Sequence, residues 1–204
     1  MIPARHMTGL ILAGGRARRM QGADCAPVDK GLLEINGQSL VARARHYLEP
    51  HVARIWVSAN RHLSIYARYG KVIRDNPLAG EGPLAGIASA LGQIDTPWLL
   101  VVPVDVLGFP DGMVGRLAQA VLETGRAAAY ATADRDHPLC MIVHRDSFDG
   151  LMAFVHGGNR TVRRWHQVNG AVPVRFDADA DAFFNINTPQ ELEAARQASQ
   201  CERS

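Results

Sequence analysis

The sequence has few cysteines, no long apolar run and no large excess of charge of either sign. Its three cysteines, Cys25, Cys140 and Cys201, have unrelated spacings, which argues against a disulfide scaffold and against a zinc cluster. No apolar run reaches the ~20 residues that a membrane-spanning helix needs. The N-terminus lacks the apolar core of a signal peptide, so we expect a cytoplasmic protein without membrane contact.

Composition limits the size and the partners of the protein. The chain has 204 residues, of which 47% are hydrophobic, enough for one substantial core but hardly for two. We therefore expect a single domain over 1–204. The formal net charge of +2 produces no strong overall field, so a nucleic-acid partner is not expected.

Short apolar segments alternate with longer amphipathic stretches, which is typical of βαβ units around a parallel sheet. The predicted fold class is α/β, with three α/β/α layers and a Rossmann-like, mostly parallel sheet. The segment 8–12 is apolar on both faces, so this strand should lie centrally. Further strands are predicted at 54–58, 71–74, 98–103, 127–133, 139–144 and 172–176, and helices at 39–48, 84–93 and 113–123.

Local signals add three details to this prediction. The last helix has the clearest start, because Thr188 is a good N-cap, Pro189 suits the first helical position and Glu191 completes a capping box. The apolar segment 32–35 looks like an edge strand. Asp111 is interpreted as the N-cap of the helix at 113–123.

A loop rich in glycine and arginine follows the first strand, at the edge where α/β sheets bind ligands. Gly14 and Gly15 would let backbone amides approach phosphate oxygens. Arg16, Arg18 and Arg19 would supply the positive charge that a triphosphate needs. The alternative is a tight turn with solvated arginines.

Several better-known motifs are absent from the sequence. It contains no Walker loop, no Gly-x-Gly-x-x-Gly after the first strand and no Gly-x-Ser-x-Gly. The eight histidines show no metal-ligand spacing. The loop would therefore bind phosphate by another scheme, and serine hydrolase and zinc chemistry are not expected.

Two charged residues stand where they could complete a phosphate site. Asp105 follows the apolar strand at 98–103, and Mg²⁺ prefers one or two carboxylates together with phosphate oxygens and waters. Lys30 could act as a movable cation on phosphates. Taken alone, Asp105 could instead make a turn and Lys30 could be a surface lysine. The glycine-rich segment 80–86 could close over a base or simply connect two elements.

Together these segments resemble the molybdenum cofactor guanylyltransferases, the bacterial MobA family, over nearly the whole chain. The matching segments are Leu-Ala-Gly-Gly-x-x-x-Arg-Met at 12–20, Asp-Lys-Gly-Leu at 29–32, Pro-Leu-Ala-Gly at 83–86, Arg-Asp-His-Pro at 135–138 and Asn-Ile-Asn-Thr-Pro at 185–189. The resemblance implies a nucleotidyltransferase (GT-A-like) fold. Its nucleotide-binding part would span about 7–106 and its acceptor-binding part about 107–198.

The resemblance also implies a reaction. GMP would pass from GTP to the terminal phosphate of molybdopterin or the molybdenum cofactor, with Mg²⁺ as cofactor, giving the guanine dinucleotide and pyrophosphate. Cofactor-insertion proteins and apo-molybdoenzymes are the implied protein partners.

The resemblance assigns roles residue by residue. The implied nucleotide-binding residues are Leu12, Ala13, Gly14, Gly15, Lys30, Ser58, Asp75 and Asp105. The implied catalytic residues are Arg19, Lys30 and Asp105, with Asp105 as the metal ligand. The implied acceptor-binding residues are Arg160, Asn185 and Asn187.

Three departures from the family pattern keep alternatives open. The stretch between Arg19 and Lys30 is about five residues longer than in the family, so Asp29 rather than Asp24 is matched to the family aspartate. Ser58 replaces a frequent asparagine, although Asn60 is near, and apolar residues flank Asp105. The alternatives are a related cytidylyl- or sugar-1-phosphate nucleotidyltransferase and a non-catalytic nucleotide-binding regulator.

Overall fold

The structure is a computed structural model that describes residues 1–14, 29–75, 82–176 and 183–201, with side chains described up to residue 197. The strands are β1 (Met7–Leu12), β2 (Glu34–Ile35), β3 (Gln38–Ser39), β4 (Arg54–Ser58), β5 (Lys71–Ile73), β6 (Trp98–Pro103), β7 (Val106–Leu107), β8 (Ala128–Thr132), β9 (Asp136–His144), β10 (Val172–Arg175) and β11 (Phe184–Asn185). The helices are α1 (Leu40–Leu48), α2 (Leu63–Tyr66), α3 (Pro83–Leu91), α4 (Met113–Thr124), α5 (Phe148–His156), α6 (Val162–Asn169) and α7 (Pro189–Cys201).

A seven-stranded sheet in the order β10-β8-β9-β6-β1-β4-β5 forms the centre of the fold. All of its strands except β9 run in the same direction. The segment 133–135 between β8 and β9 is too short for the crossover that a parallel pair needs, so these strands pair antiparallel. The mostly parallel α/β sheet predicted from the sequence is confirmed, and β1 lies between β6 and β4, as its apolar sequence predicted.

Side chains along the central strands point alternately to the two faces of the sheet and form two cores, one on each face. Leu10 of β1 faces a core shared with α3, α5 and α6, whereas Ile11 faces a core shared with α1, α4 and α7. Successive side chains of a strand point to opposite faces, so one continuously apolar strand supplies side chains to both cores. The three-layer α/β/α arrangement is thereby confirmed.

Local predictions were mostly close to the observed bounds. The strands predicted at 54–58 and 98–103 are found at those residues, and β9 begins earlier than predicted, at Asp136. The capping box of α7 is present, because Thr188 Oγ1 accepts from the Glu191 backbone N–H (3.2 Å) and Glu191 Oε2 accepts from that of Thr188 (2.9 Å).

One local prediction was right only in part, and another was wrong. Of the edge strand predicted at 32–35, Glu34–Ile35 is a strand, β2, which forms a separate hairpin with β3, whereas a short 3₁₀ helix occupies Lys30–Leu32. The turn of the hairpin places Asn36 and Gly37 at positive φ, the conformation of a tight hairpin turn. Asp111 is not the N-cap of α4, because Gly112, in the left-handed region at φ 70°, takes that position.

Across the described ranges, no helix has both the length and the apolar character needed to cross a membrane.

Gly70 offers a test of the close packing between β4 and the turn before β5. A Cβ at Gly70 would lie 2.4 Å from the carbonyl oxygen of Ile55, so the backbone must move to accommodate it. Gly70→Ala should lower the free energy of unfolding by about 1–3 kcal/mol, measured by urea denaturation. Gly115→Ala in α4 is the control, since a Cβ there meets nothing within 4 Å and should stabilise by roughly 0.5–1 kcal/mol. Equal effects of the two substitutions would contradict this account.

Candidate active site

The carboxyl ends of β1, β4 and β6 meet at one edge of the sheet, beside the residues that follow β5. A cavity of about 190 Å³ opens at this edge. The residues lining it include Leu12, Gly14, Lys30, Ser58, Asp75 and Asp105, all of which were predicted to contact a nucleotide. Gly82 and Pro83, at the N-terminus of α3, also line the cavity. The fold therefore brings these residues together in one cavity from six separated segments of the chain.

Lys30 and Asp105 form an ion pair in this cavity. The Nζ atom of Lys30 donates to Oδ2 of Asp105 at 2.9 Å and to Oδ1 of Asn187 at 3.0 Å. The Lys30 side chain is only 11% exposed, so its charge depends on these two partners. Two predicted catalytic residues and one predicted acceptor residue are thus in direct contact.

Backbone hydrogen bonds fix Asp105 on both sides. The N–H of Val104 donates to the Leu12 carbonyl oxygen at 3.2 Å, which ties the end of β6 to the end of β1. The N–H of Ile186 donates to the Asp105 carbonyl oxygen at 2.9 Å, and β7 pairs antiparallel with β11 directly afterwards. The carboxylate of Asp105 is therefore presented from a well-anchored backbone.

Asp29 and Tyr66 hold the Lys30 segment from the opposite side. The Tyr66 hydroxyl donates to Oδ1 of Asp29 at 2.5 Å, and burial together with this hydrogen bond raises the pKa of Tyr66 well above its ordinary value. A Cβ at Gly31 would lie 2.5 Å from the Tyr66 hydroxyl oxygen. The glycine of the Asp-Lys-Gly-Leu segment is therefore required by the approach of the Tyr66 ring.

Asp75 is held by both residues whose roles the sequence left open. Its carboxylate accepts from the Ser58 hydroxyl at 3.2 Å and from Nδ2 of Asn60 at 2.8 Å. The Asp75 backbone N–H donates to Oδ1 of Asn60 at 3.1 Å. Gly86 lets α3 approach closely, because a Cβ there would lie 2.4 Å from the Ser58 hydroxyl oxygen. The Pro-Leu-Ala-Gly segment therefore shapes the wall on which Ser58 and Asp75 stand.

The structure covers the glycine-arginine loop only in part. Gly15, Arg16, Arg18 and Arg19 lie outside the described residues. Ala13 is buried, and its backbone N–H already donates to the Ser58 carbonyl oxygen at 2.9 Å. At Gly14 a Cβ would meet its neighbours only at 3.8 Å or more, so packing among the described residues does not require a glycine there.

A second cavity of about 230 Å³ lies beside the first and shares Pro103, Asp105 and Leu139 with it. Its lining also includes Arg135, Asp136, His137, Arg163 and Asn185. Asn185, predicted to bind the acceptor, is thus found at this cavity. Arg160 lines neither cavity; its guanidinium donates to the Val155 carbonyl oxygen at 2.8 Å, beyond the end of α5.

Two residues at the second cavity have a buried polar atom that makes no hydrogen bond within the part of the chain that the structure describes. These atoms are Nε2 of His137, which lies 3.8 Å from Oδ1 of Asp134, and Oδ1 of Asn185. His137 stacks on Phe183 with ring centroids 4.1 Å apart. Burial, followed by the nearby Arg135, lowers the pKa of His137, which favours a neutral ring. Buried polar atoms are normally hydrogen-bonded, so this cavity suits a polar ligand.

Sequence reasoning did not single out Arg163 or His166. Nε of Arg163 lies 3.7 Å from Oδ2 of Asp136, and Nε2 of His166 is 2.8 Å from the Pro138 carbonyl oxygen. Both belong to α6, which no motif marks. The strongly amphipathic pattern of 162–169 could have predicted the helix, but not that its residues support the Arg-Asp-His-Pro segment.

The single carboxylate of Asp105 fits a magnesium ion whose other ligands are phosphate oxygens and waters. Across the described residues, no three or more His, Cys, Asp or Glu side chains are grouped so as to hold a metal. Among the described residues that line both cavities, Asp105 is the one with a carboxylate. Mg²⁺ commonly binds one or two carboxylates and takes its remaining ligands from phosphates and waters. Asp105 is therefore the residue that would hold such an ion.

Comparison with known proteins agrees with this geometry. The family model described as MobA-like NTP transferase domain matches residues 9–171. The chain belongs to the MobA-like NTP transferase family. It is therefore a nucleotidyltransferase, as the sequence predicted.

Curated relatives of this MobA-like NTP transferase carry a more specific name. A molybdenum cofactor guanylyltransferase from Bordetella pertussis is 40% identical in an alignment of 198 positions that covers 94% of this chain and 98% of the relative. One from Acidovorax sp. is 37% identical in an alignment of 209 positions that covers 95% of this chain and 97% of the relative. The predicted resemblance to molybdenum cofactor guanylyltransferases is thereby confirmed.

Solved structures show the same fold at lower identity. Molybdopterin-guanine dinucleotide biosynthesis protein A from Archaeoglobus fulgidus superposes with a TM-score of 0.77 at 22% identity, over 97% of this chain and 100% of that one. The 4-diphosphocytidyl-2C-methyl-D-erythritol synthase from Anaerococcus prevotii gives a TM-score of 0.70 at 9% identity, over 97% and 99%. The predicted nucleotidyltransferase type of fold is confirmed.

The Tyr66–Asp29 contact can be tested in this MobA-like NTP transferase by Tyr66→Phe. Asp29 has a side chain that is 6% exposed, so loss of the hydroxyl leaves a buried carboxylate poorly paired. Unfolding by urea should show a loss of about 1–3 kcal/mol. Tyr69→Phe is the control, because the part-buried Tyr69 hydroxyl accepts only a 3.2 Å bond from Ser39. An effect no larger than that of Tyr69→Phe would mean that Tyr66 does not hold the Lys30 segment.

Proposed function

We propose that this chain transfers GMP from GTP to the terminal phosphate of molybdopterin or the molybdenum cofactor, releasing pyrophosphate. The observation that carries the proposal is the position of Asp105, which lines both cavities and binds Lys30. One cavity would hold the nucleotide and the other the acceptor, so the reacting phosphates would meet at Asp105. The curated relatives that match nearly the whole chain are named for this guanylyl transfer.

The proposed chemistry is in-line attack by an acceptor phosphate oxygen on the α-phosphorus. A phosphate monoester is largely ionised near neutral pH, because its second pKa is about 6. The attacking oxygen therefore needs no general base, and catalysis consists of positioning and charge neutralisation. This matches the nucleotide cavity, where the charged residues among the described lining are Lys30, Asp75 and Asp105, with no cysteine or histidine among them.

Each residue would contribute to that neutralisation. Lys30 would move or share its ammonium group between Asp105 and the phosphates as charge develops on pyrophosphate. Mg²⁺, held by Asp105, would neutralise phosphate oxygens when bound. Gly14 and Gly15 would offer backbone amides to the phosphates, Leu12 and Ala13 would border the nucleotide, and Arg19 would add a further cation.

The second cavity supports the acceptor side of the proposal. Arg135 and Arg163 line it, and guanidinium groups bind phosphate in a bidentate manner. His137 and Asn185 offer buried polar atoms for a heterocycle such as a pterin. Asn187 contacts Lys30 at the boundary. Arg160 lines neither cavity, so Asn185 and Asn187 carry the acceptor-side proposal.

Selection of guanine can be assigned to Asp75. Its carboxylate is oriented by Ser58 and Asn60 and lies at the nucleotide cavity. Guanine presents two adjacent donors, N1–H and N2–H, and a carboxylate accepts both. Adenine, cytosine and uracil do not present that pair, so an oriented aspartate favours guanine over each of them.

Asp75→Asn tests this assignment. The amide can accept only one of the two guanine donors and presents its own N–H to the other, so GTP affinity should fall about ten- to a hundredfold. Affinities for ATP and CTP should change little. Titration calorimetry with each nucleotide measures both effects. A uniform loss for all three nucleotides would assign Asp75 to the shape of the cavity and not to base selection.

Asp105→Asn tests the reacting centre. The amide still accepts from Lys30, so the fold should persist, but the loss of the carboxylate should lower magnesium-dependent pyrophosphate release by at least about a hundredfold. Asp95→Asn is the control, because Asp95 is a surface partner of Arg54 and lines neither cavity. Near-normal turnover of Asp105→Asn would remove this residue from the mechanism.

The overall reaction is tested by incubating the protein with molybdopterin, Mg²⁺ and each NTP, then identifying the product by mass spectrometry. A guanine dinucleotide with pyrophosphate is the expected product. A cytosine product, or turnover with a sugar 1-phosphate, would assign the chain to those related transferases. Nucleotide binding without any product would favour a regulator.

Location and partners complete the proposal. Since GTP is the proposed donor, we place the protein in the cytoplasm, where a free buried thiol such as Cys140 is stable. Its product would pass to cofactor-insertion proteins and apo-molybdoenzymes. Neither a nucleic acid nor a membrane enters the proposal.

A further inference from the structure

The start of α7 lies against the active site through a small set of hydrogen bonds. Oε2 of Glu191 accepts from the backbone N–H of Thr188 at 2.9 Å and from that of Asn187 at 2.5 Å. Thr188 Oγ1 accepts in return from the Glu191 backbone N–H at 3.2 Å. Glu191 therefore makes one hydrogen bond more than the reciprocal pair that defines a capping box.

The additional bond pairs a donor that lies outside the helix. Asn187 precedes the N-cap, so its N–H is not among the donors that helix formation leaves unpaired. The bond instead fixes the peptide plane from which the Asn187 side chain extends. That side chain accepts from Nζ of Lys30 at 3.0 Å.

Lys30 needs such an orientation for its proposed reaction. Its ammonium group has three donors, of which two are directed to Asp105 and Asn187. With both partners fixed, the third N–H has one direction left, and Lys30 lines the nucleotide cavity. The backbone N–H of Asn187 is the main cause of a lowered pKa at Glu191, so the carboxylate is ionised at neutral pH.

We propose that Glu191 is a positioning residue that orients Lys30 toward the phosphates through Asn187. The inference rests on the proposed function and deepens it, because it adds α7 to the machinery of transfer. Glu191 touches no reacting atom. Glu191 holds Asn187, which in turn holds the ammonium group. The Lys30 charge also contributes to the lowered pKa of Glu191, and the neutral Glu191→Gln separates this direct charge interaction from the hydrogen bonds.

Two substitutions separate this role from helix capping. Glu191→Ala removes the half of the capping box in which its carboxylate accepts from the Thr188 N–H, and it releases Asn187. Thr188→Ala removes the other half, in which Thr188 Oγ1 accepts from the Glu191 backbone N–H, and leaves the Asn187–Glu191 bond in place. Each should lower stability, by about 0.5–2 kcal/mol for the cap. Only Glu191→Ala should lower kcat, by about ten- to a hundredfold, since a displacement of ~1 Å has that effect.

Glu191→Gln provides the rescue, because its amide oxygen can accept both backbone N–H groups. Its kcat should lie within about threefold of the unaltered protein. Glu193→Ala, on the exposed face of the same helix and paired with Arg196 at 3.6 Å, should leave kcat unchanged. Equal losses of kcat in Thr188→Ala and Glu191→Ala, or no rescue by glutamine, would overturn the proposal.

A binding measurement keeps the test independent of turnover. Glu191→Ala should weaken binding of a non-hydrolysable GTP analogue with Mg²⁺, and the same change in a Lys30→Gln background should add little, because linked residues give non-additive effects. Additive losses would contradict the link between Glu191 and Lys30. If the unaltered protein binds the analogue but forms no dinucleotide, the proposed function fails while this test still decides the role of Glu191. Should Glu191→Ala not fold, Glu191→Asp, which keeps the charge but is too short to reach both N–H groups, should show the same non-additivity with Lys30→Gln.

Discussion

The buried ammonium group of Lys30 is the constraint on which the site depends. A charge that is 11% exposed is costly to hold unless partners surround it. Its partners, Asp105 and Asn187, lie 75 and 157 positions away along the chain. Removing one partner of a buried ion pair commonly lowers the free energy of unfolding by about 3–5 kcal/mol. The contacts of Lys30 therefore hold distant segments together as well as orienting the proposed catalytic cation.

The strand order explains how these segments reach one place. Because β1, β4, β5 and β6 are parallel neighbours, the residues that follow them all emerge at one edge of the sheet. The antiparallel strand β9 enters at that same edge with the Arg-Asp-His-Pro segment. Parallel strands thus supply the nucleotide cavity, and the single reversed strand supplies a wall of the second cavity, with Asp105 on the boundary.

Sequence patterns predicted much of this architecture because they report local physics. Apolar runs identified β4 and β6 to the residue, and the Gly-Gly, Asp-Lys-Gly-Leu and Pro-Leu-Ala-Gly segments pointed to residues that line one cavity. Contacts between distant segments could not be predicted in the same way. No pattern signals that Tyr66 supports Asp29 or that His166 approaches Pro138, since each pair forms only after the layers have packed.

Ala13 and Glu191 show most clearly how a residue with a recognisable local signal can make a contact that the sequence does not reveal. The family resemblance implied that the Ala13 backbone contacts the nucleotide. Its N–H, however, already donates to the Ser58 carbonyl oxygen, so this hydrogen bond holds the start of the loop against the end of β4. Glu191 was recognised only as a helix signal, which it is. Its further bond to Asn187 arises because the chain enters α7 directly from the strand that pairs beside Asp105. A helix cap placed at that junction cannot remain purely local: the carboxylate that starts the helix also sets the orientation of the residue before it, and through that residue the position of Lys30.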